Sequence, residues 1–278
     1  MGTVASPRDR RPEDDAPGTL SQVNTPPPAG FTAYPARFPR GRRRRRRRAR
    51  TAVSLAAAAA CLVTALAAGL RVQAELTRPP TAAERASAAA AAVAGRWQAW
   101  PAGTIFPAGI GYTTSLLTRE TARRVGIGTG TGCAAALAGA VARAAERAGC
   151  RAAIRATYLD QLQGVVYTAG VFAFPTPRQA GAFARAAGAD RLPAGLRALA
   201  FPGTASAGFG DAARQAASHR SRGPYVVLTV AGYADGRPAA AGSARPSVFA
   251  PAQQLAGAIL APLARPVSVD CASPQWAC

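Results

Sequence analysis

The chain has 278 residues and carries 34 basic residues against 13 acidic ones, with a single histidine and a formal charge of +21. Every basic residue is arginine, and with abundant Ala, Gly and Pro this looks like coding from GC-rich DNA, so part of the charge is compositional. One histidine excludes His-rich metal sites, the dispersed acids leave no carboxylate pair set for glycoside cleavage, and the length and 49% hydrophobic content fit one globular domain plus extra segments.

Residues 1–39 are rich in Pro, Gly, Ser, Thr and charge, with three prolines in a row at Pro26, Pro27 and Pro28, and show no apolar periodicity. This predicts a disordered tail, which the arginine block extends to residue 50. The first 50 residues hold 13 arginines and 4 acids, concentrated in Arg40, Arg42 to Arg48, and Arg50. Residues 51–70 then carry no charge, and Arg71 closes the stretch. At about 1.5 Å per residue such a helix spans about 30 Å, the thickness of a bilayer's hydrocarbon core. Arg48, Arg50 and Arg71 flank it. Arginine-rich flanks stay in the cytoplasm, so residues 51–70 are expected to form one transmembrane helix in the cell membrane, with the amino terminus cytoplasmic and the remainder extracellular. Each arginine near an anionic lipid surface contributes about 1 kcal/mol, which makes membrane lipid the expected partner.

Three other readings compete. A buried soluble helix is opposed by the uncharged length and the flanking arginines. A cleaved signal peptide would use the small-x-small pattern at Ala65-Leu66-Ala67, but the apolar stretch exceeds a typical signal core and the preceding tail is long. Nucleic-acid binding by the arginine block lacks interleaved aromatics and a recognition fold, so nucleic acid is not an expected partner.

Residues 71–94 are expected to form a stalk or linker helix. Arg78-Pro79-Pro80 breaks the helix leaving the membrane, and Thr81 with Glu84 forms a capping box that restarts one through residue 100. Trp97 and Trp100 share a face there, for core packing or for contact with the membrane surface. Residues 95–278 read as an extracytoplasmic α+β domain. A helix is predicted over 133–148, ended by Gly149. Strands follow at 151–159 and 164–174, joined by a hairpin loop at 160–164. Thr176 and Pro177 open a helix to residue 187. A short strand is predicted at 196–201 and a strong one at 225–233, with a turn at Asp235-Gly236. A last helix covers 251–263 and stops before Pro266. The order suits an antiparallel sheet with helices packed on one face.

Gly126, Gly128, Gly130 and Gly132 precede the helix at 133, where a glycine-rich loop could cradle phosphate. Residues 120–124 are too charged to suggest a preceding strand, and no acid follows at the needed distance, so a flexible loop is expected and no cofactor is implied. Ser206, Asp211 and His219 follow the chain order of some serine hydrolases, but they lie too close in sequence and lack a G-x-S-x-G elbow. Cys61 lies in the apolar segment, while Cys133, Cys150, Cys271 and Cys278 follow it, which permits two disulfides in three pairings. An unbroken helix would hold Cys133 and Cys150 about 25 Å apart, far beyond disulfide reach. Bridges from either to Cys271 or Cys278, tying the tail to the domain, are therefore preferred, with Cys271–Cys278 pairing also open.

Several segments resemble uncharacterised single-pass envelope proteins of actinobacteria: Ile105-Phe106-Pro107, Arg124-Val125-Gly126-Ile127, residues 149–158, residues 223–228 and residues 232–237. Residues 171–187 are similar to small extracytoplasmic sensor or lipoprotein domains. The resemblance implies an envelope location and carries over no catalytic residue. The expected role is a membrane-anchored envelope protein whose outer domain binds a partner. The alternative is an envelope enzyme, for which a deep cleft gathering Arg155, Tyr158 and Asp160 would speak. Residues 95–278 hold 18 arginines and 7 acids. Anionic lipid heads or wall polymers are expected partners if Arg119, Arg123, Arg124, Arg151 and Arg155 converge on one face.

Overall fold

The computed structural model describes residues 40–188, 195–239, 247–271, 273 and 276. The expected tail over residues 1–39 lies outside them. The chain divides into two compact units, residues 1–77 and residues 78–278.

In the first unit, α1 (Arg40–Thr77) runs unbroken through the arginine block and past Arg71. Residues 40–50 are thus helical where disorder was expected, because arginine is a good helix former and here continues an alanine-rich helix. Within α1, Arg45–Thr77 is long and apolar enough to cross a membrane. None of its side chains is covered by protein, and Leu55, Leu62 and Leu66 are 70%, 64% and 64% exposed. The Thr51 and Thr64 hydroxyls donate to carbonyls one turn back, so these polar groups are satisfied inside the helix. Cys61 is a free thiol on its surface.

The second unit begins at Arg78, earlier than the expected boundary at residue 95, and includes α2 (Ala82–Ala99). Thr81 and Glu84 form the expected capping box. Arg78 adds a two-pronged contact, with Nη1 2.9 Å from Glu84 Oε2 and Nη2 2.6 Å from Oε1. These donors, Arg78 first, hold the Glu84 carboxyl down at about 2. Val93 is buried, and Trp97 and Trp100 pack against the core, so the two tryptophans take the packing role. The Tyr225 hydroxyl donates to Val93 O at 2.7 Å and accepts from Trp97 N at 3.3 Å, clasping one turn of α2 to the sheet.

The sheet has six antiparallel strands: β1 (Gly109–Thr113), β2 (Arg119–Ile127), β3 (Ala152–Leu159), β4 (Val165–Ala173), β5 (Ala216–Arg222) and β6 (Tyr225–Tyr233), in the order β1-β2-β3-β4-β6-β5. The helices around it are α3 (Ala102–Ile105), α4 (Cys133–Ala136), α5 (Gly139–Arg147), α6 (Pro177–Ala187) and α7 (Pro251–Leu263). The α+β class and antiparallel pairing agree with the sequence reading, but the helices do not share one face. Tyr167, Ala169 and Val171 of β4 point to a cluster with α2 and α7, whereas Val166 and Phe172 point to a second cluster with α4, α5 and α6. β4 is buried at every position, and β6 at all but its last. Near-continuous apolar strands of this kind signal cover on both faces.

The sheet curls around α7, which touches both edge strands, β1 and β5. The Gln254 amide closes the curl: its Oε1 accepts from Thr113 N at 2.9 Å and its Nε2 donates to Thr113 O at 2.7 Å. This satisfies part of the β1 edge, which would otherwise present unpaired backbone groups.

The predicted helix over 133–148 is broken. Leu137 and Ala138 are extended, Ala138 N donates to Gly195 O at 2.7 Å, and Gly139 restarts the helix at φ +56°. The break brings Cys133 and Cys150 to a Cα separation of 6.3 Å, and they form a disulfide. A bridge from either of them to the tail is thereby overturned, because the geometry assumed an unbroken helix. Cys271 is also disulfide-bonded, and Cys278 lies outside the described residues.

Residues 196–201 are not a strand beyond the single bridge Leu137–Leu196. They form a strap across the sheet face that also carries α4 to α6, and side chains take its backbone groups. Thr157 Oγ1 donates to Leu199 O at 2.5 Å, Leu199 N donates to Thr168 Oγ1 at 3.1 Å, and Arg155 Nη1 donates to Arg197 O at 3.1 Å. The glycine ladder is the bed of this strap: a Cβ at Gly126 would strike the Phe201 ring, and one at Gly128 would press on Leu199 at 3.2 Å. A strand, β2, does run into the ladder despite its charges, because over residues 119–123 it leaves one face exposed.

Candidate binding site

Two hairpin tips meet at one end of the sheet. The first joins β1 to β2 through residues 114–118, with Thr114 N donating to Thr118 O at 2.9 Å and Leu117 at φ +62°. The second joins β3 to β4 through residues 160–164, with Gln163 at φ +58°. There Asp160 N donates to Val165 O at 3.0 Å, and Asp160 Oδ1 accepts from Val165 N at 2.8 Å. Both tips hold leucines in solvent: Leu116, Leu117 and Leu162 are 83%, 85% and 85% exposed. Outside α1, the one other exposed large apolar side chain among the described residues is Val248, at 41%, which lies at the same rim.

Between the tips lies a hollow of about 220 Å³, rimmed by Leu116, Leu162 and Val248, with Tyr112, Glu120, Asp160 and Tyr167 in its wall. The Tyr112 hydroxyl donates to Glu120 Oε2 at 2.5 Å, and the Tyr167 hydroxyl donates to Val248 O at 3.3 Å. Burial first, and the neighbouring carboxylates after it, push both phenols well above the ordinary tyrosine range, so they act as neutral donors. The hollow thus offers two carboxylates and two phenols beneath an apolar rim, in a domain where acids are scarce. That chemistry suits a cationic group flanked by apolar ones.

The residues singled out in the sequence are dispersed. Ser206 is fully buried, accepting from Phe201 N at 3.2 Å and lying 2.8 Å from Thr204 Oγ1. Asp211 accepts from Ala198 N at 2.7 Å and faces Arg197 and Arg214. Both therefore clasp the strap, and His219 sits apart on β5. Arg155 lies under the strap, the Tyr158 hydroxyl donates to Pro107 O at 3.0 Å on the opposite face, and Asp160 forms its turn, so these three share no cleft.

The five arginines do not converge either. Arg119 and Arg123 are exposed on the uncovered face of β2, Arg124 caps the Phe106 carbonyl, and Arg151 sits at the other end of the sheet. Arg48, Arg50 and Arg71 are exposed along α1. Among the described residues no group of three or more His, Cys, Asp or Glu side chains could hold a metal ion. Sequence reading missed the hollow because Tyr112 and Glu120 lie on strands it did not predict. Asp160 was singled out, though for a different cleft, and the pair Leu116-Leu117 in a polar turn is a further trace of the hollow that the sequence carries.

Comparison with family models, curated proteins and solved structures finds no match to the chain.

Proposed function

We propose that this chain is a single-pass membrane protein that displays a binding domain outside the cell, with the hairpin-tip hollow taking a segment of a partner protein that carries a basic side chain among apolar ones. Support for the anchor is α1, whose apolar surface has no protein cover and whose charge is massed at one end. The disulfides suit an oxidising compartment. The observation that carries the binding role is the leucine rim over Glu120 and Asp160, because solvent-exposed leucines on ordered turns gain stability only when something covers them. Charge complementarity selects the occupant: a carboxylate pair under an apolar rim prefers a cation with apolar neighbours.

The test uses full-length protein in detergent, immobilised, with tripeptide amides as probes. Leu-Arg-Leu amide is expected to bind about tenfold more tightly than Leu-Glu-Leu amide, in line with a hydrogen bond to a charged group. The preference should vanish in the Glu120→Gln, Asp160→Asn double variant. Equal binding of the two peptides overturns the reading.

A further inference from the structure

A second amphipathic site lies at the opposite end of the sheet. An apolar groove of about 480 Å³ runs between residues 87–94 of α2 and the loops at Pro175, Pro177 and Pro224, and reaches Val267 after α7. It adjoins a shallow hollow of about 540 Å³ that holds Arg222 and Arg265, and Pro266 lines both. The carbonyls at the end of α7 are already occupied: Arg96 Nη1 donates to Leu263 O at 2.9 Å and to Arg265 O at 2.6 Å. The guanidinium groups of Arg222 and Arg265 are exposed, with no side-chain partner among the described residues.

Position adds a second line of argument. The chain enters this unit at Arg78, and Thr81 caps α2. Ser87, the first residue of the groove, is six residues further on, about 9 Å along the helix. The groove therefore lies close to the point where the chain leaves for the apolar helix α1. The hairpin tips with Glu120 and Asp160 lie at the far end of the strands.

We infer that this groove binds an anionic phospholipid of the membrane, its acyl chain along α2 and its phosphate against Arg222 and Arg265. An apolar trough ending in two free cations matches an amphiphile with one anionic end, and a bilayer holding α1 would supply it. Binding here would seat the domain on the membrane with its hairpin tips pointing away. The inference rests on the membrane-anchored reading.

The experiment places full-length protein in nanodiscs of phosphatidylcholine doped with photoactivatable-acyl phosphatidylglycerol or photoactivatable-acyl phosphatidylcholine, with crosslinks mapped by peptide mass spectrometry. Crosslinks within residues 87–94, 175–177, 223–224 or 264–267 are expected, at least fivefold more from phosphatidylglycerol than from phosphatidylcholine. The Arg222→Ser, Arg265→Ser double variant should lose that preference, and Arg222→Lys with Arg265→Lys should retain it. Ala91→Trp, on an exposed position that lines the groove, should lower groove labelling from both lipids. Equal groove labelling by the two lipids, or labelling confined to residues 45–77, overturns the lipid site and leaves the anchor standing. Absence of label from residues 45–77 overturns the anchor itself.

Discussion

Four tyrosines show how single residues hold this domain. Tyr112, Tyr158, Tyr167 and Tyr225 are buried on the face of the sheet that curls around α7, and each hydroxyl donates to a carboxylate or a backbone carbonyl. Burial raises all four above the ordinary range. The sign follows: the unfolded chain ionises at about pH 10 while the folded one does not, so this contribution is complete below about pH 10 and is lost as pH rises beyond it. In an alkaline titration of the full chain in detergent, the phenolate absorbance of these four is expected to appear together with loss of the far-ultraviolet dichroism. Graded ionisation at about pH 10 with the dichroism intact would contradict it. Sequence alone did not assign these roles, since a tyrosine's burial depends on what crosses above it. The same holds for Ser206, Asp211 and the glycines at 126 and 128, which the sequence marks neither as a triad nor as a phosphate loop but to which it gives no structural role. All four serve a strap whose path no local pattern encodes.

At the scale of elements, the local signals were strong where capping or long apolar runs fixed them. The capping box at Thr81, the Thr176–Pro177 start of α6, β4, β6 and α7 all stand where the sequence puts them. β1 and β5 were missed because edge positions relax the apolar pattern, with β5 ending in exposed polar residues, and β2 because its first half exposes one face and carries Arg119, Glu120, Arg123 and Arg124. The break between α4 and α5 was hidden because alanine favours helix on both sides of it and only Gly139 marks it. The disulfide across that break joins cysteines 17 positions apart, which corresponds to about 3 kcal/mol of stabilisation on chain-entropy grounds. Cys133→Ser with Cys150→Ser is expected to lower unfolding stability by about that amount in denaturant melts. Non-reducing peptide mapping should recover the Cys133 peptide joined to the Cys150 peptide, and a link from either to the Cys271 peptide would contradict the fold.

At the scale of the whole molecule, the proposed topology rests on the charge asymmetry around α1. Protease added to intact protoplasts is expected to digest the domain after Arg78 and to spare the arginine block. Protection of the β6 segment in that assay would reverse the orientation. The layered cover of the sheet was partly legible, since strands without polar alternation announce two covered faces, and only the assumption of a half-exposed sheet hid it. The Gln254 clasp joining α7 to β1 bears on how the chain is made. α7 is the last described helix, yet it fills the hollow of a sheet whose strands are complete by residue 233. During vectorial synthesis the six strands emerge first, with Tyr167, Val171, Tyr225 and Val227 turned toward an unfilled trough. Until residues 251–263 arrive, that trough is a sticky surface in an otherwise finished shell. The nascent domain therefore passes through a stage that needs shielding, and a ribosome stalled between β6 and α7 would release a chain prone to self-association.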